Sequence, residues 1–283
     1  MPDVLLATDT EHADVWDDER PLVDALESRG LRTSLAVWND PAVDWASARI
    51  VVVRYVFDYV RDRDAFCAWA DRVEAATPLH NPARVVRWNS HKSYLRDLEA
   101  AGVPIVPTEW PPFGSGASLD KILAKRGWDD IVIKPAVDNG ARGTLRVTRH
   151  DLDAGRRHLR RLLGRGDVMI QPYVDAIEGP GEHKMIHIDG TLSHAIRESP
   201  RLGGKDFFMD LIHPIDPEPE ERALAQQVLS VVPESPLLYA RVDTVMDRGV
   251  ARLMELEVIE PVLFFSKAPV AADEMAEAIA RRI

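Results

Sequence analysis

Short apolar runs alternate along this chain with stretches whose apolar positions recur every three or four residues. That is the pattern of buried strands interleaved with amphipathic helices. Residues 4–7 predict a strand, and residues 18–29 a helix stopped by Gly30. Residues 31–38 and 50–54 read as further strands, and residues 62–76 as a helix. A helix over 90–101 ends at Gly102, and Pro111-Pro112-Phe113-Gly114-Ser115-Gly116 reads as a linker. Strands follow at 131–135, 145–147 and 168–174, with helices at 119–125 and 152–163. A hairpin turning at Asp189-Gly190 joins 183–188 to 191–197, and helices over 218–231 and 272–282 flank a second hairpin. This order predicts an α/β chain: an open α/β lobe over 1–88, then α+β lobes over 89–168 and 169–283.

The second hairpin, 241–261, is the stretch richest in chemistry. Its strands alternate around the turn Asp247-Arg248-Gly249. Alternation puts Arg241 and Asp243 on one face, and likewise Glu255 and Glu257. An even cross-strand register would gather all four on one surface. Oxygen-only donors beside a guanidinium suit Mg²⁺, which binds a few carboxylates together with substrate phosphates. The alternative is an exposed hairpin with solvated charges. Against it stand Leu238, Tyr239, Val242, Val245, Leu253, Leu256 and Ile259, which imply a buried sheet where like charges are costly unless neutralised.

Composition narrows the options. The net charge of −11 disfavours nucleic acid or an anionic membrane as partner, so a phosphate ligand needs a local basic cluster. The single cysteine, Cys67, excludes an internal disulfide framework and fits a reducing cytoplasm. No apolar run approaches about 18 residues, so neither a membrane span nor a signal peptide is expected.

Several upstream residues are candidates for binding a phosphorylated ligand. Lys92 is expected on the helix opening the middle lobe. Lys134 ends an apolar strand and precedes the loop Asp138-Asn139-Gly140-Ala141-Arg142-Gly143-Thr144. Small residues there would let backbone N–H groups approach phosphates. Gln171-Pro172-Tyr173-Val174 offers an extended edge to a purine, or is simply a strand ending in proline. Glu182 and Lys184 suit a sugar hydroxyl and a phosphate, or lie on a hairpin surface.

In this order, Lys92, Ile133-Lys134-Pro135, the glycine loop, Gln171-Pro172-Tyr173-Val174, Gly181-Glu182, Arg241-Val242-Asp243 and Glu255-Leu256-Glu257 resemble the signature of the ATP-grasp ligases. The resemblance covers roughly residues 88–283. Within that superfamily the chain is most similar to the RimK-like enzymes and the D-cycloserine-forming cyclo-ligases. The shared motifs are Trp38-Asn39-Asp40-Pro41, Asn81-Pro82, Trp88-Asn89, Leu238-Tyr239-Ala240 and Glu260-Pro261. The resemblance implies two α+β lobes gripping ATP and a carboxylate–amine ligase that releases ADP after forming an acyl phosphate. It assigns Lys92 and Lys134 to the phosphates, residues 138–144 to a closing loop, Gln171, Pro172, Tyr173 and Val174 to adenine, and Glu182 to ribose. Lys184 would lie near the γ-phosphate or the carboxylate. Asp243, Glu255 and Glu257 would hold two Mg²⁺, with Mn²⁺ an acceptable substitute, and Arg241 and Arg197 would face the reacting carboxyl.

The departures fall on the substrate side. Where the cyclo-ligase pattern reads Arg-Ser-Thr-Trp-Asp-Tyr, this chain has Arg54-Tyr55-Val56-Phe57-Asp58-Tyr59. The acceptor loop reads Arg197-Glu198-Ser199-Pro200 and Lys205-Asp206-Phe207 instead of the family's Lys and Asp-Phe-Arg. Tyr55, Phe57, Tyr59, Arg201, Lys205 and Phe208 are weaker substrate candidates, with ordinary packing an equal alternative. The expected partner is a small amino-acid-derived acid, closed on itself or joined to a second amine, and a homodimer is left open. A nucleotide-binding module without catalysis would need a missing phosphate or metal group, whereas Lys134, Asp243, Glu255 and Glu257 are all present.

Overall fold

The computed structural model describes residues 1–198 and 212–283, organised around three sheets. In the first, β1 (Val4–Thr8), β2 (Thr33–Val37), β3 (Ile50–Val53) and β4 (Leu79–His80) run parallel in the order β2-β1-β3-β4. Helix α1 (Arg20–Ser28) covers one face, packing Leu22 and Leu26 on Val4, Leu6, Ile50 and Val52. Helix α2 (Arg63–Ala76) covers the other with Phe66, Trp69 and Val73 on Leu5, Val51 and Val53. Burial on both faces explains why β1 and β3 read as continuous apolar runs.

The chain then forms α3 (Ala83–Asn89) and α4 (Tyr94–Ala100), rather than one helix over 90–101. Lys92 therefore sits in the turn between two helices. Its backbone N–H donates to the Ala136 carbonyl at 2.8 Å, outside any helical ladder, and this tertiary bond holds the break open.

Helices α5 (Leu119–Arg126) and α6 (Leu152–Leu163) back the second sheet, β6-β5-β7, built from β5 (Asp130–Pro135), β6 (Leu145–Thr148) and β7 (Val168–Pro172). The third sheet has the order β10-β9-β8-β11-β12. Its strands are β8 (Glu182–Ile188), β9 (Thr191–Glu198), β10 (Ile212–Ile215), β11 (Tyr239–Asp247) and β12 (Val250–Glu257), all antiparallel. Helix α7 (Pro219–Val231) packs Leu224, Ala225 and Val228 behind it. Helix α8 (Pro269–Ala280) returns to α1, so Met275, Ile279, Ile186 and Ile188 share a core with Val4 and Leu22. The first and last segments are thereby fixed to one another. Among the described residues no helix is long and apolar enough to cross a membrane.

One irregularity aims the whole site. The β11–β12 turn has two residues, Arg248 and Gly249, both at positive φ (52° and 81°), and Asp247 pairs with Val250. Strict pairing from that turn would set Asp243 opposite Met254 and Arg241 opposite Leu256. A β-bulge intervenes: Thr244 pairs with Leu253 but Asp243 pairs with Glu255, which leaves Met254 as the extra residue. The inward positions of β12 change parity accordingly. Ala251 and Leu253 face the core before the bulge, and Leu256 after it. Segment 104–106 brackets the same point, because Leu253 donates to Pro104 O (2.8 Å) and its carbonyl accepts from Val106 N (3.2 Å). Deleting Met254 removes the extra residue while leaving Leu253 and Leu256 inward and Glu255 opposite Asp243. We therefore expect the variant to stay folded, with a stability loss of at most about 3 kcal/mol in chemical denaturation. A deletion variant that is already unfolded without denaturant would show that the bulge does more than absorb Met254.

Candidate active site

With the bulge in place, Arg241 lies opposite Glu257, Asp243 opposite Glu255, and on the other flank Lys184 lies opposite Asp243. Asp243 is fully buried and accepts from Arg241 Nε and Nη2 (2.8 Å each) and from Lys184 Nζ (3.0 Å). Arg241 also pairs with Glu257, and Lys184 reaches Glu198 (3.3 Å) and Glu182 (3.4 Å). Burial opposes ionisation of Asp243, but Arg241 and Lys184 outweigh it and hold the carboxyl near 2, below its ordinary value. Glu257 behaves differently: burial, reinforced by Asp243 and Glu255, lifts it to about 7 despite Arg241.

Lys92 arrives by a separate device. β12 exposes an unpaired edge, which side chains satisfy in place of a further strand. Asn89 Nδ2 donates to Leu256 O (2.8 Å), Val258 N donates to Asn89 Oδ1 (3.4 Å), and Leu256 N donates to Tyr94 Oη (2.8 Å). Lys92 lies between these clamps, and its ammonium pairs with Glu255. Burial would depress Lys92, but Glu255 reverses the effect and raises it. Lys134, at the end of β5, is instead lowered by burial, with Lys92 adding repulsion. Glu255 offsets only part of this, so an anionic ligand would complete its neutralisation.

These groups converge on two adjoining cavities. The smaller, about 380 Å³, is lined by Lys92, Lys134, Asn139, Gly140, Ala141, Thr144, Gln171, Pro172, Tyr173, Val174, Glu182, Glu255 and Glu257. The larger, about 820 Å³, holds Lys184, Glu198, Arg241 and Asp243 on one wall and Asp9, His12, Trp16 and Phe57 of the N-terminal lobe on another. Asn139, Gly140, Ala141, Glu182, Glu255 and Glu257 border both. Asn139 Nδ2 donates to Phe57 O (2.7 Å) and approaches Glu260 (3.4 Å), so the glycine loop is latched onto the N-terminal lobe.

Some expected residues lie elsewhere. Arg197 pairs in register with His183, whose ring bonds Glu221 of α7, and so it occupies the sheet face away from Lys184 and Asp243. Alternation on β9 brings Glu198 into the cleft instead. Gly143 lines neither cavity. Its carbonyl bonds His158 Nε2 (2.7 Å), and an added Cβ would meet Pro135 Cγ at 3.1 Å. Arg142 borders only the larger cavity. Tyr55 is buried and donates to Glu19 (2.7 Å), a structural role, whereas Phe57 and Tyr59 line the larger and smaller cavities respectively. Arg201, Lys205 and Phe208 lie outside the described residues.

Residues without a role in the sequence reading also enter the cleft. Glu260 belongs to a shared motif, and burial next to Glu257 lifts it to about 8. Asp9 and His12 follow β1, and the one available signal was their place at the carboxyl end of a parallel strand, where open α/β sheets bind ligands.

As for a metal ion, among the described residues no three His, Cys, Asp or Glu side chains are grouped to hold one by themselves. Arg241, Lys184 and Lys92 are bonded to Asp243, Glu255 and Glu257. The donor set is nonetheless hard oxygen, and carboxylates outnumber cations in the larger cavity. That surplus negative charge fits a divalent ion that arrives together with phosphate oxygens.

The architecture is that of an ATP-grasp ligase, an enzyme that forms C–N bonds. A RimK-domain ATP-grasp protein from Sphaerobacter thermophilus superposes at TM-score 0.74 over 99% of this chain and 98% of its own, at 18% identity. A profile for the N-terminal domain of D-cycloserine synthetase DcsG matches residues 4–81. The cycloserine biosynthesis protein DcsG of Streptomyces lavendulae is 31% identical over 98% of each chain. A crystal structure of D-cycloserine synthetase DcsG aligns at TM-score 0.92 and 31% identity over 99% of each chain. The chain belongs to the DcsG family.

Glu260 yields a stability prediction. Its folded carboxyl titrates near 8, above an ordinary glutamate, so the folded state holds a proton that the unfolded state has released between about pH 5 and 8. Stability should therefore fall as pH rises through that window, by up to about 1.4 kcal/mol per pH unit from this group. Glu260→Gln should flatten the slope in urea melts at several pH values. An unchanged slope in that variant would show that Glu260 is not the group responsible.

Proposed function

We propose that the chain closes or couples a small amino-acid-derived carboxylic acid through an acyl phosphate, at the expense of ATP, releasing ADP and phosphate. The observation that carries this reading is the convergence of Lys92, Lys134, residues 138–141 with Thr144, and the 171–174 edge on one cavity that opens onto Arg241 and Asp243. In this reading the extended edge at Gln171–Val174 receives the adenine. Gln171 itself is buried and spends its amide on Thr108 (2.9 Å), so it would present backbone groups. Glu182 takes the ribose hydroxyls. Lys134 and Lys92 neutralise phosphate oxygens, and the latched loop excludes water that would hydrolyse the activated acid. Asp243, Glu255 and Glu257 are the residues to hold Mg²⁺, which would supply charge neutralisation during phosphoryl transfer. As phosphate enters, Lys184 and Lys92 exchange their carboxylate partners for phosphate oxygens. Arg241, fixed by Asp243, is set to stabilise the oxyanion when nitrogen attacks the acyl carbon. The relatives named for D-cycloserine favour ring closure within a single substrate such as O-ureido-serine.

The test is ADP release over a panel of amino-acid-derived acids, including O-ureido-serine, with and without added amines. Release should require both Mg²⁺ and the acid, and formation of AMP and pyrophosphate would overturn the reading. Product mass separates the two modes: loss of water alone marks cyclisation, and a sum of two substrates less water marks coupling. Lys134→Ala and Asp243→Asn should each lower kcat/KM by roughly 100-fold or more. Unchanged turnover in Asp243→Asn would remove the assigned metal site.

A further inference from the structure

The larger cavity that holds Arg241 is also lined by a histidine, His12, that the reading above does not use. Strand β1 ends at Thr8, and Asp9 caps the single 3₁₀ turn Thr10–His12. Asp9 is fully buried and tied to the sheet, its own N–H donating to Tyr55 O at 2.7 Å. One oxygen, Oδ1, accepts from both the backbone N–H of His12 (2.9 Å) and its ring Nδ1 (2.7 Å). A proton on Nδ1 facing that carboxylate leaves Nε2 with its lone pair. The ring is held edge-on to Phe57 (centroids 5.0 Å apart), with Tyr55 and Trp16 at 6.0 and 6.2 Å. The other carboxylates lining this cavity are engaged: Glu11 with Arg61, Asp58 with Trp38, Glu182 and Glu198 with Lys184, Asp243 and Glu257 with Arg241, Glu255 with Lys92, and Glu260 with Asn139.

We propose that His12 accepts the proton of the attacking nitrogen, with Asp9 as its positioning residue. The inference rests on the ligase reading above. The nitrogen lone pair forms the C–N bond, and the C–O bond to phosphate breaks with its electrons leaving on phosphate. The surplus N–H proton passes to His12 Nε2 and then to solvent. Without an acceptor the adduct nitrogen would keep its extra proton, and a protonated amine is readily expelled, so the adduct would revert to the acyl phosphate. The imidazolium that forms is balanced by Asp9, as in other carboxylate–histidine pairs.

The test uses His12→Ala, His12→Gln and Asp9→Asn in the full chain, with an acid that the wild type turns over. Three quantities are measured: product formed, ADP released, and hydroxamate trapped by excess hydroxylamine. Hydroxylamine reports the acyl phosphate without needing a protein base. We expect product formation to fall about 100- to 1000-fold in the His12 variants while hydroxamate still forms, so that ADP released per product rises. Added imidazole should restore part of the product in His12→Ala. Asp9→Asn should show the same uncoupling, which a merely structural loss would not produce. The proposal is overturned if His12 variants form product within about threefold of wild type. It is equally overturned if product and hydroxamate fall together. A wild type that releases no ADP with any acid overturns the ligase reading, and this inference with it.

Discussion

The register of one hairpin governs this cleft. The bulge that absorbs Met254 keeps Glu255 and Glu257 on the side of Arg241 and Asp243, where unbroken alternation through Met254 would turn them to the core side of β12. The placement of Glu255 and Glu257 follows from that half-step, because side chains along a strand have a period of two. The bulge sits where segment 104–106 crosses β12, so backbone bonds from another part of the chain hold it in place. Bulges recur next to active sites for this purpose, to re-aim a side chain without changing the sheet around it.

The buried charges are reconciled by pairing. Asp243 would be untenable at its depth without Arg241 and Lys184, and Glu255 without Lys92. Glu257 and Glu260 remain under-compensated and are pushed to about 7 and 8. Lys134 is the converse, a half-buried cation lowered by desolvation. The cleft therefore stores complementary electrostatic deficits on its two sides. A metal-bound polyphosphate would relieve both at once, which links the energetics of the fold to the chemistry proposed for it.

Rigidity comes from shared cores. The N-terminal sheet packs through α1 and α8 onto Ile186 and Ile188 of the third sheet, and Tyr239 donates to Val53 O and contacts Ile259 O. Buried Arg54 bonds Glu19 and the Pro261 carbonyl, crossing the same boundary. Asp9 and His12 are consequently fixed relative to Arg241 although more than two hundred residues separate them in sequence. The middle sheet has its own apolar cluster around Ile131, Ile133, Leu159 and Ile170.

By itself the sequence determined which residue types could bind phosphate and hard cations, and the ordered spacing that marks an ATP-grasp ligase. It also determined most strands and helices, because local hydrophobic periodicity is a short-range property. Its failures share a different origin. Lys92 left its expected helix because of one backbone bond to Ala136, and Arg197 faced away because strand parity is set by neighbouring strands. Glu198, Glu260, Asp9 and His12 entered the cleft through long-range packing that no local pattern encodes. Local sequence specifies the chemistry available, whereas cross-strand register and the docking of distant segments decide which of those side chains meet.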